Sequence, residues 1–205
     1  AAGDNAAMLA TRAAHHRTPE ERIAFLPTLA EAPKDRGTLN LLVRRPDRGE
    51  REVLESGTLD ATYGLIGDNW LARGSRHTAD GSADPASQLN VMSHRMVAFL
   101  AGDPALEPLA GDQRYLDLDL AHENLPVGSR RLFGDPATPR AVIEETEPPH
   151  TGCAKFVERF GAEAMRFVNG RTGRPMRLRG LNARVVTGGE VRPGDVVTVQ
   201  RAPVV

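Results

Sequence analysis

The sequence has almost no cysteine, since Cys153 is the only one in 205 residues. A single cysteine excludes any disulfide within the chain and any zinc site built from several thiolates. Long apolar runs are missing too, because no stretch approaches the roughly 20 apolar residues that a membrane span needs. The N-terminal segment contains no apolar core of the kind found in a signal peptide. We therefore expect a cytoplasmic protein with no membrane partner.

Lysine is also scarce, because the chain has only Lys34 and Lys155 against 24 arginines. Acidic residues are absent from one window: positions 164–189 hold six arginines and no Asp or Glu, although the net charge of the chain is −1. A basic segment in an otherwise acidic chain indicates a local anion site, whereas nucleic-acid binding normally makes the whole domain basic. The solvated outer face of a barrel is an equally good interpretation of the arginine-rich window.

A capped helix is predicted near the N-terminus. In "TPEERIAFL", Thr18 is a typical N-cap, Pro19 suits the first helical position and Glu21 completes a capping box. Pro27 is predicted to end or kink this helix.

Two further patterns organise the first half of the chain. "TLNLLVRR" and "EREVLESG" flank a turn and predict a hairpin, and "SHRMVAFLAG" predicts a helix capped by Ser93. Residues 73–87 form a long polar loop rich in Gly, Ser, Asp and Pro. We expect a helical and partly disordered extension over residues 1–37, followed by one domain over residues 38–205.

Alternating apolar and polar residues predict short strands through the second half. The leucines of "QRYLDLDL" share one face, as in a half-buried strand, and "MRLRGLNARVV" is predicted as a strand on which Arg177 and Arg179 share a face. About five such strands, separated by regularly spaced turns, indicate a closed β-barrel or a sandwich. One helix, running from Cys153 to about Asn169, interrupts them.

Cys153 lies between a Pro-Pro-His run and the helical pattern "AKFVERF". Pro148 and Pro149 force an extended approach, so the helix must begin close to the cysteine. A helix start favours thiolate over thiol, and His150 and Lys155 add positive charge; His150 is also the nearest partner for a Cys-His catalytic pair. A thiolate can attack a carbonyl, carry a persulfide or bind a soft metal. A small, buried, structural cysteine is the open alternative.

The order of several segments resembles the MOSC domain, named from the C-terminal domain of molybdenum cofactor sulfurases. These segments are "YGLIGDNW", "HRMV", "LAGDQRYLDLDLAHENLPVGSRRLFG", "AVIEETEPPHTGCAKF" and "RLRGLNARVVTGGEVRPGDVVTV". The resemblance covers roughly Thr38 to Val199. It implies a mainly β fold, a closed β-barrel akin to the pyruvate kinase β-barrel domain, with several short peripheral helices.

The resemblance also implies a site. The cysteine at the position of Cys153 is proposed in that family to carry sulfur or to coordinate molybdenum of the molybdenum cofactor, molybdopterin, so Cys153 is the expected metal ligand and, with His150, the expected catalytic group. Arg-rich loops suit the phosphate of such a cofactor. The residues expected to hold the cofactor are Thr151, Lys155, Gly67, Asp68, Arg95, Asp112, Gln113, Arg177, Arg179 and Asn182.

Departures from the family pattern indicate a distinct subgroup. Asp112 and Gln113 stand where many members have Glu-Asn, and the spacer before the cysteine is His-Thr-Gly. The chain offers no strong Schiff-base lysine, so pyridoxal phosphate would enter only through a partner cysteine desulfurase.

The expected function is a molybdenum-dependent reductase of N-hydroxylated compounds, served by an electron-donor protein, or a sulfur-transfer protein. The expected ligands are a small-molecule substrate or cofactor and no nucleic acid. The alternative is a non-catalytic anion-binding module with a buried structural cysteine.

Overall fold

The computed structural model describes residues 17–203, which form a mainly β structure with short peripheral helices. The strands are β1 (Arg36–Arg44), β2 (Glu52–Val53), β3 (Gly57–Asp60), β4 (Gly64–Leu65), β5 (Leu89–Ser93), β6 (Arg114–Asp117), β7 (Arg130–Phe133), β8 (Ala141–Glu145), β9 (Leu181–Thr187), β10 (Gly189–Val191) and β11 (Val196–Gln200). The helices are α1 (Pro19–Ala30), α2 (Trp70–Arg73), α3 (His94–Ala101) and α4 (Ala154–Asn169), with 3-10 segments at Pro85–Ser87 and Pro104–Ala110.

Seven strands close into a barrel in the order β11-β7-β8-β9-β5-β6-β1, and β1 pairs with β11 to complete the ring. β5 and β6 are parallel and are joined through α3, whereas the other pairs are antiparallel. β2 extends β1 as the predicted hairpin, and β10, β3 and β4 form a small separate sheet. The prediction of a closed β-barrel with short peripheral helices is confirmed.

Alternation along the strands divides the core into two parts. On β6, Leu116 points into the barrel and packs with Leu39, Ile143 and other aliphatic residues. Tyr115, next to it, points outward and packs under the helices with Met96. β6 is therefore buried on both faces, and the prediction of a half-buried strand is wrong because helices cover its outer side.

The helix α1 begins as predicted, with Thr18 and Glu21 forming the capping box. It continues through Pro27 to Ala30, so of the two predicted effects of Pro27, an end or a kink, the end is wrong. Its Phe25 stacks on Phe99 of α3 with ring centroids 4.1 Å apart. This contact attaches the helix to the outside of the barrel. The part of the extension predicted to be disordered, residues 1–16, lies outside the described residues.

The helix α4 is broken at Gly161, which has φ 86° and ψ 162°. A left-handed φ with an extended ψ interrupts the helical hydrogen bonds, so the segment that starts after Cys153 is short. Ser93 caps α3 and Gly102 ends it in the left-handed conformation, as the sequence predicts. Among residues 17–203, no helix combines the length and hydrophobicity needed to cross a bilayer.

Candidate functional site

Cys153 is the N-cap residue of α4, and its thiol is exposed. Its carbonyl oxygen accepts hydrogen bonds from the backbone N–H groups of Phe156 (2.9 Å) and Val157 (3.1 Å). The thiol makes no capping hydrogen bond. The sulfur is therefore open to reagents at a helix start, and the alternative of a buried cysteine is wrong.

The segment before α4 is held by two asparagines. Asn182 on β9 donates from Nδ2 to the carbonyl oxygen of Pro148 (3.0 Å). Asn169, at the far end of α4, accepts the backbone N–H of Gly152 at Oδ1 (3.0 Å). These contacts hold the backbone on both sides of His150, so the conformation of the segment that precedes Cys153 is fixed.

Four cations surround the start of α4: Lys155 and Arg159 on the helix, and Arg48 and Arg51 on the loop between β1 and β2. We call them the cationic cluster. Burial and the three arginines lower the pKa of Lys155, whereas Cys153 raises it. Burial, reinforced by Arg159, lowers the pKa of Arg51 to about 10. Lys155 is therefore the member next to the thiol. Arg51 and Arg159 meet at Gly111, where an added Cβ would lie 3.1 Å from Arg51 Nη2 and 3.5 Å from Arg159 Nη1.

No carboxylate within residues 17–203 forms an ion pair with any member of the cationic cluster, although Asp112 acts on Arg51 from a greater distance. Among the described residues, the side chain of Arg159 donates only to the carbonyl oxygen of Leu109 (2.8 Å), and the buried Nε of Arg51 has no hydrogen-bond partner there. Crowded cations of this kind attract an anion.

Asp112 lies at the centre of a buried polar group beneath the cysteine segment. Arg179 donates from Nη1 to both of its carboxylate oxygens, and His150 Nε2 lies 2.8 Å from Oδ1. The Tyr115 hydroxyl accepts the backbone N–H of Asp112 (3.2 Å). The guanidinium of Arg179 also covers the ring of Phe156, 4.9 Å from its centroid. Helix α4, the cysteine segment and the barrel wall therefore meet at this group.

The ionisation states of this group follow from its contacts. Burial opposes the charge of Asp112, but Arg179 and His150 hold the pKa of this carboxyl below its ordinary value. Burial and the charge of Arg179 lower the pKa of His150. A neutral His150 therefore carries its proton on Nε2, facing Asp112, and leaves Nδ1 as the basic nitrogen.

A second polar network connects three of the residues matched to the MOSC pattern: Asp68, Gln113 and Asn182. Asp68 accepts from Arg45 Nε (2.9 Å) and Nη2 (2.8 Å), and Gln113 Nε2 lies 3.4 Å from the same carboxylate. Gln113 Oε1 accepts the backbone N–H of Asn90, whose side chain donates to Asn182 (2.7 Å). Asp68, Gln113 and Asn182 are buried, and they support the cysteine segment from below through hydrogen bonds.

Two other predicted site residues lie apart from the cysteine. Gly67 lies in the turn before Asp68 with φ 81°, against the side chain of Arg44. Arg95 donates to Asp117 (2.5 Å) and to the carbonyl oxygen of Thr28 (2.8 Å). Arg95 therefore joins α1 to the barrel, and its described contacts include no residue of the cysteine segment.

Arg177 and Arg179 lie in a run of turns that ends before β9, so the prediction that they share a strand face is wrong. Glycines at 173 and 180 and φ 49° at Arg177 let the chain coil instead of extend. Arg177 forms an ion pair with Glu145 and donates to His122 Nδ1 (2.7 Å). Both guanidiniums already have carboxylate partners, so their charges are compensated within the fold.

A cavity of about 250 Å³ lies behind the cysteine segment. Its wall includes His150, Thr151, Arg177 and Arg179, but not Cys153. Cys153 therefore lies outside the cavity wall, two positions after Thr151 in the chain. The structure brings His150, Asp112 and Arg179 together, places Lys155 with Cys153, and leaves Arg95 elsewhere.

Sequence reasoning missed Arg48, Arg51 and Arg159. A signal was present in "RRPDRGER", where four arginines fall within eight positions of a hairpin turn. Nothing in the sequence indicated that this turn lies beside α4, because the two segments are about a hundred positions apart. Within residues 17–203, His, Cys, Asp and Glu side chains form no cluster of three able to hold a metal ion.

Comparisons with known proteins support the fold. Neither protein-family models nor curated proteins match the sequence. Among solved structures, the YuaD protein from Bacillus subtilis is 17% identical, with a TM-score of 0.54 over 82% of this chain and 97% of that chain. YiiM from Geobacillus stearothermophilus is 12% identical, with a TM-score of 0.51 over 81% and 75%. YiiM from Escherichia coli is 17% identical, with a TM-score of 0.50 over 81% and 71%.

Proposed function

We propose that this chain is a MOSC-type protein that uses Cys153 to bind the molybdenum cofactor or to carry sulfur. One observation carries the proposal: the single thiol is exposed next to Lys155, and Lys155 lies near three arginines that form no ion pair with a carboxylate of the described residues. The fold likeness to YuaD and YiiM supports the barrel, and the resemblance of the cysteine segment supports the chemistry.

The residues present fit a molybdenum–pterin group. A thiolate is a soft ligand for such a metal, and Cys153 offers one. The phosphate of the pterin needs cationic N–H donors, which Arg51, Lys155 and Arg159 supply. Such a cofactor, when bound, supplies two-electron redox chemistry at the metal. These cations replace Arg177 and Arg179 as the proposed phosphate ligands, because Glu145 and Asp112 already pair with the latter.

Sulfur transfer uses the same thiolate in a different step. The Cys153 thiolate attacks the outer sulfur of a persulfide on a partner desulfurase. A sulfur–sulfur bond forms on Cys153, the donor's sulfur–sulfur bond breaks, and the donor leaves as a thiolate. The cationic cluster favours both anions of this exchange.

His150 is proposed as a proton acceptor near the ligand. Asp112 fixes the ring and keeps the proton on Nε2, so Nδ1 can accept a proton from solvent and pass it to the hydroxyl that leaves when an N–O bond is reduced. Thr151, which is exposed next to His150, is proposed as a hydrogen-bond donor to the cofactor. Reduction of an N-hydroxylated compound is the reaction class that the resemblance suggests for a molybdenum-loaded form.

The test begins with protein purified under reducing, anaerobic conditions and incubated with excess molybdenum cofactor. After gel filtration, metal analysis should find about one molybdenum per chain in the wild type and none in Cys153→Ser. Arg95→Met serves as the control that retains the metal. A parallel sample receives a persulfide donor, and mass spectrometry measures a gain of one sulfur on Cys153. Absence of both molybdenum and added sulfur from the wild type would refute the proposal.

A non-catalytic anion-binding module remains the second candidate, and the uncompensated cationic cluster favours it. Such a module binds phosphate equally well with Cys153→Ser, whereas cofactor binding through molybdenum is lost in that variant. Isothermal titration of inorganic phosphate and of cofactor into both proteins separates the two functions.

A further inference from the structure

Two fully buried arginines line the interior of the barrel. Arg114 alternates with Tyr115 on β6 and shares its face with Leu116, which belongs to the barrel core. Arg131 on β7 shares its face with Phe133 of the same core. Both arginines have no exposed surface, so their guanidiniums lie inside the barrel.

The two arginines face each other across the barrel. In the closed ring, β6 and β7 are separated by β1 and β11 on one side and by β5, β9 and β8 on the other. They are therefore on opposite walls. The charge of Arg131 lowers the pKa of Arg114, so the two groups influence each other across the interior.

Neither guanidinium is satisfied by the described protein. All three nitrogens of Arg114 and all three of Arg131 are buried and make no hydrogen bond. The carboxylate within ion-pair distance is Glu145, 3.6 Å from Arg131 Nη1, and this carboxylate also pairs with Arg177. Asp68, which attracts Arg114, is already held by Arg45. Buried donors of this kind normally have partners.

The interior is therefore short of negative charge. Burial lowers the pKa of Arg114 to about 9 and that of Arg131 to about 10, so both remain cationic at neutral pH. Arg45, Arg114, Arg131 and Arg177 together place four positive charges against the two carboxylates of Asp68 and Glu145. Water can accept their hydrogen bonds, but it cannot compensate the excess charge.

The geometry points to a small monovalent anion of the size of chloride, bound inside the barrel between Arg114 and Arg131. Such an ion accepts hydrogen bonds from both guanidiniums and reduces their repulsion. It is separate from the cationic cluster beside Cys153 and needs no molybdenum cofactor. Because neither arginine is exposed, the ion can enter only during folding or when the folded barrel opens transiently. We therefore expect the bound ion to exchange slowly with ions in solution.

The test uses the full chain, refolded in sodium gluconate, whose anion is much larger than chloride. Chloride or bromide then replaces gluconate at constant ionic strength, and thermal unfolding is followed. At an anion concentration about fivefold above the dissociation constant, mass action raises Tm by about 2–4 °C and saturates. Arg114→Met and Arg131→Met should lose this saturable rise. Arg130→Met changes the outer face of β7, next to Arg131, and should keep it.

Crystals grown in bromide give a second readout that needs no variant. An anomalous peak between the two guanidiniums is expected. The inference is overturned if Tm follows only the general effect of each salt, equally in gluconate, chloride and bromide, or if the interior density holds water without an anomalous signal. If the methionine variants fail to fold, the wild-type diffraction result decides alone.

Discussion

Arg179 and Asp112 form a two-point ion pair in the protein interior, with Nη1 2.9 Å from Oδ1 and 2.7 Å from Oδ2. Both side chains are almost completely buried. Removing either partner therefore leaves the other charge away from water, which is more costly than the pair itself.

This pair predicts a large loss of stability. Arg179→Met and Asp112→Asn should each reduce the free energy of unfolding by about 3–5 kcal/mol. Arg95→Met and Asp117→Asn remove a partly exposed pair and should cost about 1 kcal/mol or less. Urea denaturation of the four variants measures the difference. Equal losses in both pairs would contradict the interior placement of Asp112.

Acid should destabilise the protein through His150. Folding lowers the pKa of His150 from its ordinary value of 6.5, so the unfolded chain takes up this proton first as the pH falls. The contribution is complete above pH 6.5 and is lost as the pH falls from there towards the folded-state pKa. Burial and Arg177 shift His122 in the same direction, so the two effects add.

Urea denaturation between about pH 5 and 8 checks this prediction. His150→Gln keeps a donor towards Asp112 and should flatten part of the pH dependence. His77→Gln changes an exposed ring and should leave the dependence unaltered. An unchanged pH profile in His150→Gln would show that the ring is not neutralised by folding.

The cationic cluster should discriminate between alkylating reagents of different charge. Iodoacetate is an anion and iodoacetamide is neutral, and both modify the same thiol, so the ratio of their rates cancels any change in thiol ionisation. Lys155→Met should lower this ratio about two- to fivefold at low salt, a loss that high salt should reproduce in the wild type. Lys34→Met removes the other lysine and should have no effect. A salt-independent ratio would contradict the cluster.

Gly180 should not tolerate a side chain. Its φ is 103°, and a Cβ placed there would lie 2.1 Å from the carbonyl oxygen of Val91. Gly49 has φ 93° and nothing within 4 Å, so Gly49→Ala isolates the backbone strain, about 1 kcal/mol. Gly180→Ala should cost at least about 2 kcal/mol more, because the backbone of β5 must move. If thermal unfolding shows equal losses of stability in the two variants, the backbone of β5 moves at little cost.

Local signals in the sequence predicted the elements that depend on local chemistry. The capping box at Thr18 and Glu21, the Ser93 cap and the helix start after Cys153 all follow from hydrogen bonds made within a few residues. The closed barrel followed from strand spacing together with the MOSC resemblance. The helix does not end at Pro27, because packing such as the Phe25 stack offsets the roughly 3 kcal/mol that a proline costs inside a helix.

The site depended on contacts that no local pattern contains. Arg177 and Arg179 alternate as residues of a strand would, yet Glu145 and Asp112 draw them into buried ion pairs across the fold. Arg51 lies near Arg159 only because the β1–β2 turn and α4 both pack against Gly111. Ion pairs between residues far apart in the sequence decide these positions. Such pairs leave no periodic pattern in a single sequence from which they could be predicted.

The pairing of β1 with β11 affects how the protein is made. Arg36 lies opposite Thr198, so the contact that closes the ring joins segments from near opposite ends of the described chain. During synthesis, β1 can pair with β11 only after almost all of the intervening chain has been made. Contacts so distant in sequence form slowly, and until they do, the edges of β1 and β7 remain open to pairing with other chains. Production at low temperature or with chaperones should therefore raise the yield of folded protein more than a change of buffer after purification.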